Sequence, residues 1–311
     1  MHQSVLLKES IAGLKLQADG IYVDGTLGRG GHSLEILKHL LSGHLYSIDK
    51  DQAALDALSS LATKRSQNWT LIKGDYRYLK KLLAKYQVTK VDGIILDIGV
   101  SSPQFDDPTR GFSYRHDYRL DMRMDQTQEF SAYDLINSYS DSDLARIFYQ
   151  YGEERYGKLI AEKIVSTRQY QPITTTLELV EIIKAALPAK ALRQKGHPAK
   201  RVFQAIRIEV NDELNALSEV IDASLKLLNL TGRLAIITFH SLEDKIVKQK
   251  FNAVSKIKTD KRLIMTADQL PKANYQIITK KPITPSDAEL TENRRAKSAK
   301  LRIIERKGAE K

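Results

Sequence analysis

Residues Ile21 to Asp49 constrain this chain more than any other stretch. They read I-Y-V-D-G-T-L-G-R-G-G-H, then an apolar-periodic run, then H-L-Y-S-I-D. Ile21 to Val23 is a short β-branched and aromatic run, the signature of a buried strand. Gly25, Gly28, Gly30 and Gly31 follow at once. Glycines packed so closely after a strand permit a tight turn and let a ligand approach the backbone. Ser33 to Leu41 carries Leu34, Leu37, Leu40 and Leu41 at helical spacing. Leu45 to Ile48 reads as a second strand ending in Asp49. Strand, glycine turn, helix, strand and terminal acid form the opening βαβ unit of a nucleotide-binding sheet. The acid is placed to accept hydrogen bonds from ribose hydroxyls.

A dinucleotide fingerprint asks for G-x-G-x-x-G. Here Gly28-x-Gly30 is followed by Ser33 at the third place, and Asp24 precedes the turn. An acid followed by small residues at every second position, as in Asp24, Thr26, Gly28 and Gly30, resembles S-adenosylmethionine (SAM) sites instead, with Thr26 in place of the usual first glycine. A carboxylate beside the turn repels a pyrophosphate and suits a cationic amino-acid group. An ordinary βα turn with glycines for packing stays open as the alternative.

Composition narrows the classes. The 311 residues suffice for one large domain or two ordinary ones, and 42% of them are hydrophobic, enough for a real core. No apolar run approaches the roughly 20 residues of a membrane span. Met1-His2-Gln3-Ser4 carries no basic stretch ahead of an apolar run, so no secretory signal is expected and the cytoplasm is the expected compartment. Cysteine is absent. That excludes disulfides, thiolate metal sites, iron–sulfur clusters and methylation of a pyrimidine carbon by a cysteine nucleophile. No H-E-x-x-H or similar spacing occurs, and no metal is expected. The net charge is +11, and from His240 to Lys311 there are 18 Lys and Arg against 9 Asp and Glu. A polyanionic partner is the natural reading, a merely soluble basic surface the plain one.

Further strands follow. Trp69 to Lys73 ends in Gly74-Asp75-Tyr76, where an acid and a ring can meet an adenine, or where the acid simply caps the helix expected from Tyr78 to Tyr86. Val91 to Leu96 is a near-continuous apolar run, as in a parallel strand buried on both faces. It leads into Asp97-Ile-Gly99-Val-Ser101-Ser102-Pro103-Gln104-Phe105. Ligands of doubly wound sheets sit beyond the carboxyl ends of the strands, so this stretch belongs with Asp24, Asp49 and Asp75. It resembles the Ser-Pro-Pro-aromatic motif of enzymes that methylate exocyclic amino groups of bases, with Gln104 at the second proline. Such an amine is a poor nucleophile. A polar side chain and a carbonyl held by proline can accept its protons and aim its lone pair.

Several longer stretches carry a closer resemblance. They are H-Q-S-V-L-L-K-E at 2–9, D-G-T-L-G-R-G-G-H at 24–32, L-D-I-G-V-S-S-P-Q at 96–104, R-G-F-S at 110–113, L-D-M-R-M-D at 120–125, Y-G-E-E-R at 151–155, F-Q-A-I-R-I-E-V-N-D-E-L at 203–214 and T-F-H-S-L-E-D-K-I-V-K at 238–248. Together they resemble the bacterial 16S rRNA cytosine-N4 methyltransferase family, also called RsmH or MraW. The resemblance implies SAM as cofactor. Its SAM contacts carry over to Gly30, Gly31, His32, Asp49, Tyr76, Asp97 and Gln104, with Tyr76 where phenylalanine is common. Reading the residues themselves adds Asp24, Gly28 and Asp75. The resemblance further implies 16S rRNA of the small ribosomal subunit as partner. The acceptor would be N4 of a cytidine in its decoding region, cytidine 1402 in standard 16S numbering. Asp97, Ser102 and Pro103 are the candidate transfer residues.

Between Asp106 and Gln126 basic and aromatic residues interleave: Arg110, Phe112, Tyr114, Arg115, His116, Tyr118, Arg119 and Arg123. Arginine for phosphate and a ring for a splayed base are the pieces of single-stranded RNA recognition. The interspersed aspartates allow a salt-bridged structural loop just as well. Ser131 to Leu187 reads as wholly helical, with Ser131, Asp141 and Thr175 as N-caps and Thr175 with Glu178 as a capping box. About 60 helical residues are too many for one crossover, so an inserted domain is expected. Pro188 to Arg201 reads as a basic, exposed linker. Val202 to Leu230 reads as one long helix returning to the sheet, followed by a strand from Arg233 to Phe239. His240 either orients a base or caps the helix Leu242 to Asn252. Tyr275 to Thr279 and Lys300 to Glu305 suit a closing antiparallel pair, and Arg294, Arg295 and Lys297 between them are phosphate candidates.

The fold expected is α/β: a Rossmann-like SAM-dependent methyltransferase sheet of seven strands with an inserted all-helical domain. Residues 1–105 and 199–311 would form the sheet domain and 106–198 the substrate-recognition insert, as monomer or homodimer. A DNA amino-methyltransferase, a nicotinamide oxidoreductase on the same sheet, and a non-catalytic RNA-binding assembly protein with a relict pocket are the competing classes.

Overall fold

A computed structural model describes residues 4–256 and 273–308. The chain divides into two compact units, one made of residues up to Gly99 and from Leu214 onward, the other of Val100–Glu213.

The first unit is a seven-stranded sheet. Its strands are β1 (Ile21–Asp24), β2 (His44–Asp49), β3 (Trp69–Lys73), β4 (Val91–Asp97), β5 (Leu228–Thr238), β6 (Tyr275–Ile277) and β7 (Lys300–Arg306). They lie in the order β3-β2-β1-β4-β5-β7-β6. β1 pairs in parallel with both β2 and β4, while β7 runs antiparallel to β5 and β6. The expected doubly wound sheet with its antiparallel closing pair is therefore observed. The chain leaves β1 toward β2 on one side and reaches β4 on the other, which makes the β1–β4 seam the topological switch point.

Both faces of the sheet are covered, which explains why the central strands read as unbroken apolar runs. Side chains alternate between faces with a period of two. Val23, Ile94, Leu96, Leu234 and Ile236 enter one core, against Leu79, Leu217, Val220 and Phe251. Tyr22, Ile95, Ala235 and Ile237 enter the other, against Leu6, Ile36, Leu37 and Leu55. Among the described residues no helix is long and apolar enough to cross a membrane.

The second unit is helical: Ala132–Ser138, Asp141–Gln150, Gly157–Arg168, Thr176–Ala186 and Lys200–Asn211 surround a core of its own. Ser131 with Asp134, and Thr175 with Glu178, form capping boxes. The cap of Asp141–Gln150 is Ser140 rather than Asp141, and its hydroxyl accepts the Asp143 amide.

The structure departs from expectation in four places. The single helix over 202–230 is two helices, Lys200–Asn211 and Glu213–Leu227, broken at Asp212, whose φ of 48° is left-handed. The break is held by Asn211, whose side chain accepts from the Met124 amide at 2.8 Å and donates to the Met122 carbonyl at 2.8 Å. Asn and Asp tolerate such a geometry better than other non-glycine residues. The strand that follows starts at Leu228, ahead of the expected Arg233. The helical unit is also wider than the expected 106–198. Val202, Phe203, Ala205, Ile206 and Val210 pack into its core, so Lys200–Asn211 is part of it rather than a return to the sheet. Within the expected linker, Ala189–Leu192 forms a short helix and Ala199 is fully buried.

Candidate functional site

Asp24, Asp49, Asp97 and the residues just beyond β3 and β5 all come to the carboxyl edge of the sheet. Local hydrogen bonding explains how. The turn after β1 brings Gly28 and Gly30 to positive φ, 50° and 76°. A side chain at Gly30 would strike Leu58, and one at Gly31 would strike the Ser4 side chain. Asp49 fixes this turn from the neighbouring strand: Oδ2 accepts the Gly28 amide at 2.8 Å and Oδ1 accepts the Asp51 amide at 2.9 Å. Asp51 in turn caps the helix Gln52–Lys64.

Asp24 is 1% exposed. Its Oδ2 accepts from the Ser33 hydroxyl at 2.7 Å, Ser33 meets Ser47 at 2.8 Å, and the Trp69 indole donates to Ser47 at 2.8 Å. Its Oδ1 accepts the Thr26 amide at 3.1 Å. Asp24 thus holds the turn from beneath rather than projecting from it. Thr26, where a first glycine is usual, uses its hydroxyl to accept the Asp97 amide at 2.7 Å, tying the turn to the end of β4. Thr26, Ser33 and Ser47 carry no signal of their own in the sequence, because short hydroxyl side chains suit turns and strands everywhere.

Asp97 is the least satisfied member. Its Oδ1 is buried with no hydrogen-bond partner, and its Oδ2 lies 3.8 Å from His32 Nδ1. Burial first, then the charges of Asp24 and Glu243, push its carboxyl up to about 8. Burial raises Asp49 to about 6 against the pull of its two backbone amides, and raises Asp24 as well. Buried His32 is pushed down to about 4, so the imidazole is neutral and offers Asp97 no charge. Among the described residues no lysine or arginine pairs with Asp24, Asp49 or Asp97. Asp24 is buried and Asp49 and Asp97 half-buried with no such partner, an arrangement that is costly to fold and suits a cation arriving from outside.

Asp75 caps the turn Tyr76–Tyr78 through the Arg77 amide at 2.8 Å and lies 4.0 Å from Lys50. Tyr76 is half-buried beside the sheet's core. His240 is a helix cap: its Nδ1 accepts the Glu243 amide and its Nε2 lies 2.8 Å from Glu243 Oε1. Glu243, fully buried, accepts the Phe239 amide at 2.7 Å. These contacts make His240 the cap of the helix Ser241–Ser255.

In the helical unit, Ser102 and Pro103 begin the short helix Ser102–Asp106, and Gln104 Oε1 accepts the Ser101 amide at 3.0 Å. Three of the interleaved RNA candidates turn inward. Arg110 is buried and donates to the carbonyls of Arg123 and Met124 at 2.9 and 3.0 Å. Phe112 lies in the core. Arg123 is paired with Asp121 at 2.6 Å. They are structural because the loop has no regular ladder to satisfy its carbonyls, and the guanidinium groups do so instead. Arg115 and Arg119 remain exposed, Arg119 over the Tyr133 ring at 5.8 Å, and Arg294 and Arg295 are exposed on the sheet unit.

The MraW methylase family model matches residues 1–307. This chain belongs to the MraW methylase family. Curated relatives agree along the whole MraW-type chain. It is similar to the protein named ribosomal RNA small subunit methyltransferase H of Exiguobacterium sibiricum, 51% identical over 98% of each chain. The proteins of that name from Limosilactobacillus fermentum and Lactiplantibacillus plantarum are 51% and 52% identical, each over 98% of this chain and 98% and 97% of their own. The Rossmann-like sheet is the methyltransferase fold of this MraW-family chain.

Proposed function

We propose that this chain transfers a methyl group from SAM to N4 of a cytidine in the decoding region of small-subunit 16S rRNA, cytidine 1402 in standard numbering, in the cytoplasm. The observation that carries the reading is the orphaned, cation-free carboxylate of Asp97 at the end of β4, with Asp24 and Asp49 beside it. A cationic cofactor fits that edge, and a pyrophosphate does not. The relatives' names supply the acceptor class, and the amine-methylation motif at Asp97, Ser102 and Pro103 supplies the atom.

When bound, SAM supplies a methyl already activated on a sulfonium, so no covalent enzyme intermediate is required. The protein's part is positioning. The turn at Gly28, Gly30 and Gly31 presents bare backbone to the amino-acid end, with His32 neutral at its head. Asp49 keeps acceptor lone pairs for ribose, and Tyr76 and Asp75 stand at the adenine position. Asp97 is the proposed holder of the amine, and the resemblance adds Ser102 and Pro103 as transfer candidates. Asp97 is suited to take the proton the amine releases, since its carboxyl is held near neutrality. The helical unit is the proposed holder of the rRNA.

The test is methyl transfer from SAM to small ribosomal subunits lacking the modification, with nucleosides identified by mass spectrometry and Asp97→Ala as control. New N4-methylcytidine that vanishes in the variant supports the reading. A different methylated nucleoside overturns the acceptor, and transfer to DNA alone favours a DNA amino-methyltransferase. RNA binding without any transfer favours an assembly protein with a relict pocket.

A further inference from the structure

The crossover from β3 to β4 carries a charge pattern that the site above does not use. Between Tyr76 and Val91 stand Arg77, Lys80, Lys81, Lys85 and Lys90, and no acid. The helix Leu79–Ala84 turns Leu79, Leu82 and Leu83 into the core of the sheet unit. Lys80, Lys81 and Lys85 are exposed on its outer side, and Tyr78 and Tyr86 are exposed at its two ends. With the helical repeat of 3.6 residues the three leucines fill one arc and the three lysines the opposite one.

Local rules do not account for this face. Lysines in a first helical turn oppose the helix dipole, and Lys81 and Lys85, four residues apart, repel one another. Other helix lysines pair: Lys38 meets Glu35 at 2.7 Å, Lys184 meets Glu181 at 2.7 Å and Lys158 meets Glu162 at 3.9 Å. Among the described residues Lys80, Lys81 and Lys85 meet no acid. A locally unfavourable row of one sign is set up for a counter-charge from outside. The row is also long. β3 and β4 point the same way, so the crossover returns from the carboxyl edge to the amino edge over about 23 Å, the length of the seven-residue β4. At its far end Lys90 Nζ donates to the Lys226 carbonyl at 2.7 Å, which brings the exposed Lys226 alongside.

We infer that this face of the sheet unit grips the phosphate backbone of small-subunit rRNA, outside the methyl-transfer site. Lys80, Lys81 and Lys85 would each face a phosphate, with the rings and hydroxyls of Tyr78 and Tyr86 against the sugar–phosphate chain. Contacts of this kind supply affinity and register without reading sequence. A regularly charged polymer matches a row of like charges along its length, which a single small anion does not. The exposed tyrosines add the ring surface that RNA uses. The inference rests on the rRNA reading for the identity of the polymer, and on the row of charges for the contact itself.

The experiment measures binding of the full chain to a small-subunit rRNA fragment by fluorescence anisotropy between about 50 and 200 mM salt, beside methyl transfer to small subunits lacking the modification. Lys81→Ala with Lys85→Ala should reduce the slope of log K against log salt by about 2. It should raise KM for subunits about tenfold, while Kd for SAM and Tm hold. Lys81→Arg with Lys85→Arg should keep the parent slope and KM. Lys38→Ala with Lys64→Ala removes the same charge from other exposed helix surfaces and should leave the slope alone. An equal loss of slope in that control, or none in Lys81→Ala with Lys85→Ala, would overturn the grip. Phosphatidylglycerol vesicles that bind the parent and not the variant, at an unchanged rRNA slope, would overturn it in favour of a membrane surface. If subunits are methylated while the slope stays unchanged, the grip falls and the proposed function stands. If the slope changes as expected and no methyl is transferred, the grip stands and the activity falls.

Discussion

The carboxylates of the two units behave in opposite ways. At the sheet edge Asp24, Asp49 and Asp97 are all raised by burial, and hydrogen bonds to neutral amides and hydroxyls only partly offset it. In the helical unit burial pushes Asp121 up too, but Arg123, with Arg110 behind it, pulls it below its ordinary value. Asp134 and Glu178 are lowered chiefly by the cap groups of Ser131 and Thr174. The helical unit balances its own charges and is complete as a structure. Among the described residues the sheet edge has no cation of its own for Asp24, Asp49 or Asp97, so Asp97 holds its proton up to about pH 8, as expected of a site for a cationic ligand before the ligand arrives.

The comparison breaks most readily at Asp97. Asp97→Asn should lower methyl transfer at least about 100-fold, the loss expected for a positioned charged group. Without cofactor the same variant should be more stable than the parent at pH 8. The folded chain holds a proton on Asp97 between the unfolded value of 3.8 and about 8, a proton the unfolded chain has lost. Stability therefore falls as pH rises through that window, and the amide escapes the loss. A Tm gain of about 2–4 °C per kcal/mol recovered is the reading; a Tm loss would mean that Asp97 is already paired.

Arg110 tests the other unit. Arg110→Met strips two carbonyls of a buried donor and should destabilise the chain by about 2–3 kcal/mol in urea unfolding. RNA affinity below the melting range should hold. Weakened RNA binding at unchanged stability would return Arg110 to the RNA surface.

Cofactor binding should favour ionised Asp97, so SAM affinity should rise with pH from 6 to 8, by at most about tenfold per unit. Calorimetry in two buffers of different ionisation enthalpy should show proton release. A flat profile would place the cation away from Asp97.

The smallest effect sharpens the contrast inside one loop. Arg115→Ala and Arg119→Ala should each raise KM for RNA severalfold and reduce the salt slope by about 1. Stability should stay within about 0.5 kcal/mol, because both side chains are exposed.

By itself the sequence determined the strands of the sheet, the glycine turn, the capping boxes at Ser131 and Thr175, and the set of acids at the strand ends. These follow from near-neighbour rules: period-two alternation, glycine at positive φ, and an oxygen three residues ahead of an amide. Tertiary structure alone decided which of those acids stay unpaired, because pairing depends on groups distant in sequence: the Gly28 amide reaches Asp49, while no donor reaches Asp97 Oδ1. It also turned Arg110, Phe112 and Arg123 inward from a loop whose composition suited RNA equally well, since an irregular loop must satisfy its carbonyls with whatever donors lie nearest. The break at Asp212 belongs here too. Apolar periodicity runs through it, and only the tether of Asn211 to Met122 and Met124, nearly ninety residues earlier, stops the helix.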